Sequence, residues 1–181
     1  MQSMDAANID EAVNLLFSTL IGETPTRKHQ YNVRQVRRLI RREYEQHPRL
    51  LKATTFEANV QVSRRELDLN LAVVHEGQVI ELNQAFNFRS SDPKGTRSAI
   101  DSWTLKVEKL QSDGGELFTE EASLWVPRNP DVVAVTASPN SPAQQKNFHL
   151  FLEFCSDLSV TVLHPDEVPQ HAAWPDSRLA S

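Results

Sequence analysis

The stretch RELDLNLAVVHEGQVIELN, residues 65–83, decides the fold of this chain. Apolar and polar residues alternate through both of its halves, which is the pattern of β-strands with one buried face. The sequence HEGQ, residues 75–78, separates the halves and predicts the turn of a β-hairpin. Asp68 lies on the first predicted strand, and Glu81 and Asn83 lie on the second, so a tight hairpin can direct all three side chains into one small volume. Carboxylates paired in this way are ligands that Mg²⁺ prefers.

Regular patterns on both sides of this stretch predict an α/β domain. Strands that come first and then alternate with helices are typical of a mixed central sheet flanked by helices. We therefore predict an N-terminal helical arm (1–24), one α/β domain (25–164) and a flexible, proline-rich tail (165–181). From apolar periodicity, the predicted helices are 10–21, 31–46, 96–111 and 143–158, and the strands outside the hairpin are 56–62, 131–136 and 159–163.

Composition limits the classes of protein to consider. The chain has 181 residues, of which 39% are hydrophobic and 24% are charged, as in ordinary soluble globular domains. It has no run of about 18 apolar residues, so we expect no membrane span, and its first residues do not resemble a secretory signal. Cys155 is the only cysteine, and the histidines lack metal-binding spacing, which argues against disulfides and zinc sites. We expect a cytoplasmic protein.

Basic residues are concentrated in one part of the chain. The net charge is -5, yet residues 27–65 hold eleven Lys or Arg against three acids, while the remainder holds eight against twenty-one. On the predicted helix 31–46, five arginines recur at three- and four-residue spacing opposite an apolar stripe. Such a face could grip the phosphates of nucleic acid or an acidic protein surface; alternatively it is solvated, or it packs against the chain's own acids. These arginines are Arg34, Arg37, Arg38, Arg41 and Arg42.

The predicted order of helix, three strands, helix and strand, with acids on the second and third strands, resembles the core of the PD-(D/E)XK nuclease superfamily over residues 31–137. The resemblance implies a restriction-endonuclease-like core in which Asp68 and Glu81 bind Mg²⁺, with Glu57 as a third acid. In that superfamily a lysine stands two residues after the second acid, where this chain has Asn83. Asparagine can orient a water molecule or a phosphate by hydrogen bonds, but it carries no positive charge.

Two hypotheses follow from the resemblance and its defect, and a third sets the family aside. The first is a catalytically impaired PD-(D/E)XK-like domain that binds nucleic acid or protein in a restriction, phage-defence, toxin–antitoxin or mobile-element system. The second is an active, Mg²⁺-dependent endonuclease; in this superfamily the lysine can move to the following helix, where Lys106 lies, and Gln84 is a polar substitute. The third is a non-nuclease α/β interaction protein that forms a homodimer through residues 10–21. Only the second requires Mg²⁺, and Asn83 together with the overall acidity favours the first.

Overall fold

The computed structural model describes residues 31–119 and 122–179 of the chain. The predicted arm 1–24, with its helix 10–21, lies outside the described residues. None of the described helices is long and apolar enough to cross a membrane. The helices are α1 (Val33–Glu45), α2 (Pro48–Ala53), α3 (Pro93–Asp113), α4 (Pro142–Asp157) and α5 (Val168–Arg178), with a 3₁₀ turn at Pro165–Glu167. The strands are β1 (Thr54–Phe56), β2 (Asn59–Val62), β3 (Arg65–Asp68), β4 (Leu71–His75), β5 (Gln78–Asn87), β6 (Gly115–Phe118), β7 (Ser123–Val126), β8 (Asp131–Ala137) and β9 (Thr161–Leu163).

Five strands form a mixed central sheet in the order β1-β4-β5-β8-β9. β1, β4 and β5 are antiparallel neighbours, whereas β8 runs parallel to β5 and β9 runs parallel to β8. Parallel neighbours need crossover connections, and α3 and α4 provide the helices of the two crossovers. The predicted fold class, a mixed α/β sheet flanked by helices, is confirmed.

Two hydrophobic cores lie on the two faces of this sheet, as the alternation along β8 shows. Val133 packs in one core with Val36 of α1 and Ala172 of α5. Its neighbour Val132 packs in the other core, which contains Phe151 of α4 and side chains of α3. Both faces of β8 are therefore buried, which explains why its sequence is a continuous apolar run rather than an alternating one.

A second sheet, in the order β3-β2-β6-β7, is built from segments inserted between strands of the first. The predicted strand 56–62 is in fact β1 and β2, which belong to different sheets, and the chain leaves the central sheet at Glu57, whose φ is +53°. The predicted first strand of the hairpin divides in the same way into β3 and β4. Leu67 lies in the core that the second sheet shares, whereas Leu71 lies in the core beneath α1. The prediction that residues 65–74 form one strand is therefore wrong, and β6 and β7 were not predicted.

The turn of the hairpin is confirmed. Glu76 and Gly77 both have positive φ, at 49° and 75°, which matches a type I′ turn between two antiparallel strands. β4 and β5 pair across this turn with one shift of register, a β-bulge that follows Val73. Glu81 is the partner of Val73 in this ladder and lies in the middle of the central sheet.

Residues 165–178 form a 3₁₀ turn and the helix α5, contrary to the predicted flexible tail from residue 165. Val168 and Ala172 of α5 are 1% and 0% exposed and pack in the core beneath α1. Pro169 stands in the first turn of α5, where a missing N–H costs little. Pro175 lies inside α5 and is buried, so the helix forms despite its prolines and closes one face of the sheet.

Candidate functional site

The residues singled out from the sequence fall into three separate places. The first is a cleft of about 370 Å³, which we name the arginine cleft, next to α1 and the junction of the two sheets. The second is the buried surroundings of Glu81 on β5. The third is a cleft of about 630 Å³ that holds Lys106 with Arg64, Arg65 and Lys109. The polar lining of the arginine cleft is Arg37, Arg38, Arg41, Glu57, Asp68, Asn70 and Gln84.

The arginine face of α1 is exposed, as the sequence predicts. The helix begins at a capping box, in which the Asn32 side chain accepts from the Gln35 N–H and the Gln35 side chain accepts from the Asn32 N–H. A stripe formed by Val36, Ile40 and Tyr44 is buried against the central sheet. Because the arginines occupy the remaining sides of this helix, they face away from the core. The exposed arginines are Arg34, Arg37, Arg38, Arg41 and Arg42.

One arginine of the cleft is held in place, and two are available for an external anion. The Arg41 guanidinium lies 4.7 Å over the ring of Phe56, and its Nε is 2.8 Å from an oxygen of Glu45. Arg37 and Arg38 make no ion pair with any residue of 31–119 or 122–179. The cleft therefore presents two uncompensated positive charges beside a fixed one.

Two of the three predicted metal ligands line this same cleft. Glu57 stands where the chain leaves β1, and its N–H donates to the carbonyl oxygen of Asn70 at 2.8 Å. Asp68, at the end of β3, accepts a hydrogen bond of 2.9 Å from the Asn59 side chain. Beside them, Asn70 Nδ2 and Gln84 Oε1 are buried atoms that find no hydrogen-bond partner among the described residues. The cleft thus combines arginines along α1 with carboxylate and amide groups at the sheet junction.

The Glu81 carboxylate lies in a different environment, fully buried between β5 and two helices. The hydroxyl of Tyr44 on α1 donates to one carboxylate oxygen. His171 Nε2 of α5 lies 3.0 Å from the other oxygen. Burial, and then the neighbouring Glu81 carboxylate, raise the pKa of Tyr44 well above its ordinary value, so the phenol keeps the proton that it donates. Both oxygens of Glu81 are therefore in contact with polar side chains of the two helices.

Asn83 is buried in the same interior as Glu81, but it takes no part in the hydrogen bonds of Glu81 with Tyr44 and His171. Its side chain is 0% exposed, and within the described ranges neither its Nδ2 nor its Oδ1 has a partner of hydrogen-bond geometry. The amide lies close enough to Tyr44 to oppose the rise in the pKa of that phenol. A residue sealed in this position cannot orient a phosphate at the surface, so Asn83 does not replace the missing lysine.

The predicted magnesium ligands do not come together. Glu57 and Asp68 line the arginine cleft, whereas Glu81 borders a separate cleft of about 240 Å³ with Asp131 and His171. Mg²⁺ demands a near-octahedral set of oxygens around one point. In the part of the chain that the structure describes, no three His, Cys, Asp or Glu side chains are placed to hold a metal ion. The set Glu57, Asp68 and Glu81 therefore does not fit one Mg²⁺ ion.

Lys106, the predicted displaced cation, lies in neither of these places. It borders the basic cleft next to α3, with Arg64 from the turn between β2 and β3 and Arg65 from the start of β3. To replace the superfamily lysine, whose position Asn83 occupies, Lys106 would have to reach the carboxylates of Asp68 and Glu81. The structure places it with other basic residues instead, so the four predicted catalytic residues are divided among three sites.

Sequence reasoning missed His171, the partner of Glu81. Its segment was interpreted as a loose tail because of its prolines. A signal was present, since Val168, Ala172 and Pro175 recur at helical spacing and all three are buried. His171 stands next to this stripe and so faces the central sheet.

The raised pKa of Tyr44 makes stability depend on alkaline pH. The folded chain keeps this proton at pH values where the unfolded chain has lost it, so the contribution is complete below pH ~10 and declines above it. We expect the free energy of unfolding, measured in urea, to fall by up to ~1.4 kcal/mol per pH unit above this point. The Tyr44→Phe variant should lose most of this slope, whereas Tyr31→Phe, which removes a partly exposed phenol, should lose little. An alkaline slope unchanged in Tyr44→Phe would contradict the buried hydrogen bond.

Comparisons with known proteins add little. No protein-family model matches the chain, and no curated protein matches it. Among solved structures, it is similar to protein VC1899 from Vibrio cholerae, with a TM-score of 0.38 and 13% sequence identity. The likeness covers 81% of this chain and 32% of that one, so the chain spans about a third of that protein's length. A likeness of this strength does not indicate a shared function.

Proposed function

We propose that this chain is a catalytically silent PD-(D/E)XK-like domain that binds nucleic acid through the arginine cleft. The order of elements in the central sheet supports the ancestry: α1 precedes three antiparallel strands, and α3 leads to a strand parallel to the third. The acid that would follow the family pattern, Glu81, stands on that third strand. As part of the same proposal, the domain acts in a defence, toxin–antitoxin or mobile-element system.

The observation that carries the proposal is that Glu81 is buried among protein groups, whereas the guanidinium groups of the arginine cleft are exposed. The Glu81 carboxylate is 0% exposed, and its two oxygens contact Tyr44 and His171, so it is engaged in the interior of the fold and is not presented at a surface. The exposed guanidinium groups, by contrast, gather at the arginine cleft. A cleft that keeps exposed arginines but lacks the third predicted acid, Glu81, is suited to binding rather than to hydrolysis.

The lining of the cleft suggests how a strand would lie. Phosphates are attracted to Arg37 and Arg38 along α1 and repelled by Glu57 and Asp68 at the sheet junction. Carboxylates accept hydrogen bonds from base amino groups, as acidic side chains do when they contact cytosine. We therefore place the phosphate backbone along the helix and the base edges toward the junction, an arrangement that suits single strands better than a closed duplex.

Binding and cleavage assays with the wild-type chain test this proposal. Fluorescence anisotropy with labelled 20-mers of single-stranded DNA, RNA and duplex DNA should show binding that weakens with salt. About three phosphate contacts predict that the association constant falls roughly 20- to 40-fold between 50 and 200 mM salt. With Mg²⁺ or Mn²⁺ added, we expect no cleavage of these substrates by the wild type, by Asp68→Ala or by Asn83→Lys. The reason is that Asp68 and Glu81 border different clefts and do not bind one metal ion together.

Two results would overturn the proposal in different ways. An affinity that does not respond to salt would exclude phosphate contacts as its source and favour a protein partner. Metal-dependent cleavage that disappears in Asp68→Ala would establish the active endonuclease instead. In these assays Glu66→Ala is the matched control for Asp68→Ala, since both carboxylates are exposed on β3.

A further inference from the structure

The second sheet has one buried face and one face that no described element covers. Burial alternates along β2, β6 and β7 and from Glu66 to Asp68 of β3, so that Val60, Leu67, Leu117 and Val126 point inward. The side chains between them point outward and form what we name the acid–aromatic face. Its members are Asn59, Gln61, Glu66, Asp68, Glu116, Phe118, Ser123 and Trp125.

Two large aromatic side chains are exposed on this face. Trp125 is 62% exposed and Phe118 is 49% exposed. Because Trp125 pairs with Glu116 and Phe118 pairs with Ser123, the two rings are diagonal neighbours on adjacent strands. The indole also lies directly over Gly114, where a Cβ atom would stand 2.5 Å from the ring. The tryptophan is therefore a positioned apolar surface in contact with water, which in soluble proteins often marks a binding site.

The charges around these rings all have one sign. The acid–aromatic face carries the exposed carboxylates of Glu66, Asp68 and Glu116 and no lysine or arginine. None of the three forms an ion pair with a residue that the structure describes. The Ser123 hydroxyl donates to Glu116, which orients that carboxylate without neutralising it. The face is thus an uncompensated acidic surface.

Acids and aromatic rings are arranged in two parallel rows across the strands. The register places Trp125, Glu116, Gln61 and Glu66 side by side in one row. The other row is Ser123, Phe118, Asn59 and Asp68. Each row crosses three strand spacings, or about 14 Å, and the rows are about 7 Å apart. A chain of four or five extended residues covers one row.

We infer that the acid–aromatic face is a docking surface for a basic segment of another protein, rich in arginine or lysine with interspersed apolar residues. A cation over Trp125 gains a cation–π contact, and the same side chain finds the Glu116 carboxylate directly beside it in the same row. In the other row Asn59 stands between Phe118 and Asp68, so a second basic side chain is needed to reach that carboxylate. Charge complementarity of this kind steers the encounter and selects against acidic partners. The three carboxylates repel the phosphates of nucleic acid, so this face suits a basic peptide better than nucleic acid, although it adjoins the arginine cleft at Asp68.

Calorimetric titration of the full chain with two synthetic octapeptides tests the inference. One peptide alternates arginine and leucine, and the other alternates glutamate and leucine. The wild type should bind the basic peptide and not the acidic one. Trp125→Ser should weaken this binding at least tenfold, and so should the double variant Glu66→Gln/Glu116→Gln, which leaves the rings in place.

Matched control variants show whether a loss of peptide binding is specific to the acid–aromatic face or follows from removing any exposed tryptophan or carboxylate. Trp174→Ser removes an exposed tryptophan of α5, and Glu108→Gln/Glu153→Gln removes two exposed carboxylates of α3 and α4. Both controls should bind the basic peptide as the wild type does. Equal binding by wild type and Trp125→Ser, or by both peptides, would overturn the inference, as would a complete lack of binding.

Two further results would assign the face to another occupant. A wild-type dimer in light scattering that is lost in both Trp125→Ser and Arg37→Ala/Arg38→Ala would make the occupant the arginine face of a second copy. Weaker nucleic-acid binding in Trp125→Ser would join the face to the arginine cleft. If the wild type does not bind nucleic acid, the proposed function is wrong, but the peptide titration still tests the acid–aromatic face. The two proposals can therefore be refuted separately.

Discussion

Reversing the charge of Arg37 and Arg38 together should reduce nucleic-acid affinity on the order of 100-fold at 100 mM salt. Both guanidinium groups are exposed, border the arginine cleft and have no ion-pair partner among the described residues, so each is free to neutralise a phosphate. The double variant Arg37→Glu/Arg38→Glu removes two attractive contacts and introduces two repulsive charges. Anisotropy titrations should also show a salt dependence that is shallower by about two phosphate contacts.

The control for this variant has to change the net charge equally without touching the cleft. Lys94→Glu/Arg97→Glu does so on α3, where Arg97 is exposed and already paired with Asp101. Circular dichroism and thermal unfolding should show both double variants folded, because all four side chains are exposed. An equal loss of affinity in the two variants would mean that net charge alone governs binding, and the arginine cleft would have no special role.

Replacing Glu81 with alanine should lower the free energy of unfolding by about 3–5 kcal/mol, measured by urea denaturation at neutral pH. The substitution leaves the Tyr44 hydroxyl and the His171 ring nitrogen without their acceptor in a buried place, and it opens a cavity between β5 and α1. The same experiment separates the silent domain from the active endonuclease. Removing a carboxylate from a working metal site often stabilises the folded chain, because such sites hold unfavourable charges for the sake of activity.

Two substitutions calibrate this result. Glu81→Gln keeps the shape and one acceptor oxygen, so it should cost only about 1–2 kcal/mol. Glu116→Ala removes an exposed strand glutamate and should change stability by no more than about 0.5 kcal/mol. If Glu81→Ala is as stable as Glu116→Ala, or more stable than the wild type, the buried cluster does not stabilise the fold.

The position of the predicted acids shows where sequence reasoning succeeds and where it stops. The turn at Glu76 and Gly77 and the strand that carries Glu81 followed directly from local patterns. The prediction of the first strand of the hairpin was wrong, because the chain passes from one sheet to the other between Leu69 and Leu71. Alternation continues without a break through this point, because residues on both sides of it face apolar cores, and no glycine or proline marks the change of sheet. Asp68 was therefore placed beside Glu81 when it belongs to another sheet.

The environment of Glu81 is set by partners that are far away in the sequence. Tyr44 precedes it by 37 residues and His171 follows it by 90. Tyr44 was already recognised as part of the buried stripe of its helix, but periodicity does not say which strand residue a buried hydroxyl meets. His171 was hidden in a segment whose prolines suggested disorder. Neither contact leaves a local signature, since each exists only when α1 and α5 pack on the same face of β5.

Taken alone, the sequence predicted α1, α3, α4, the turn of the hairpin and the arginine face of α1, because these depend on interactions between residues close together in the chain, and the order of these elements predicted the mixed sheet. Only the tertiary structure decided that Asp68 and Glu81 lie apart, that Glu81 is sealed by Tyr44 and His171, and that acids and aromatic rings share one face of a second sheet. The physical reason is that period-two alternation records whether a side chain is buried, and not against which partner.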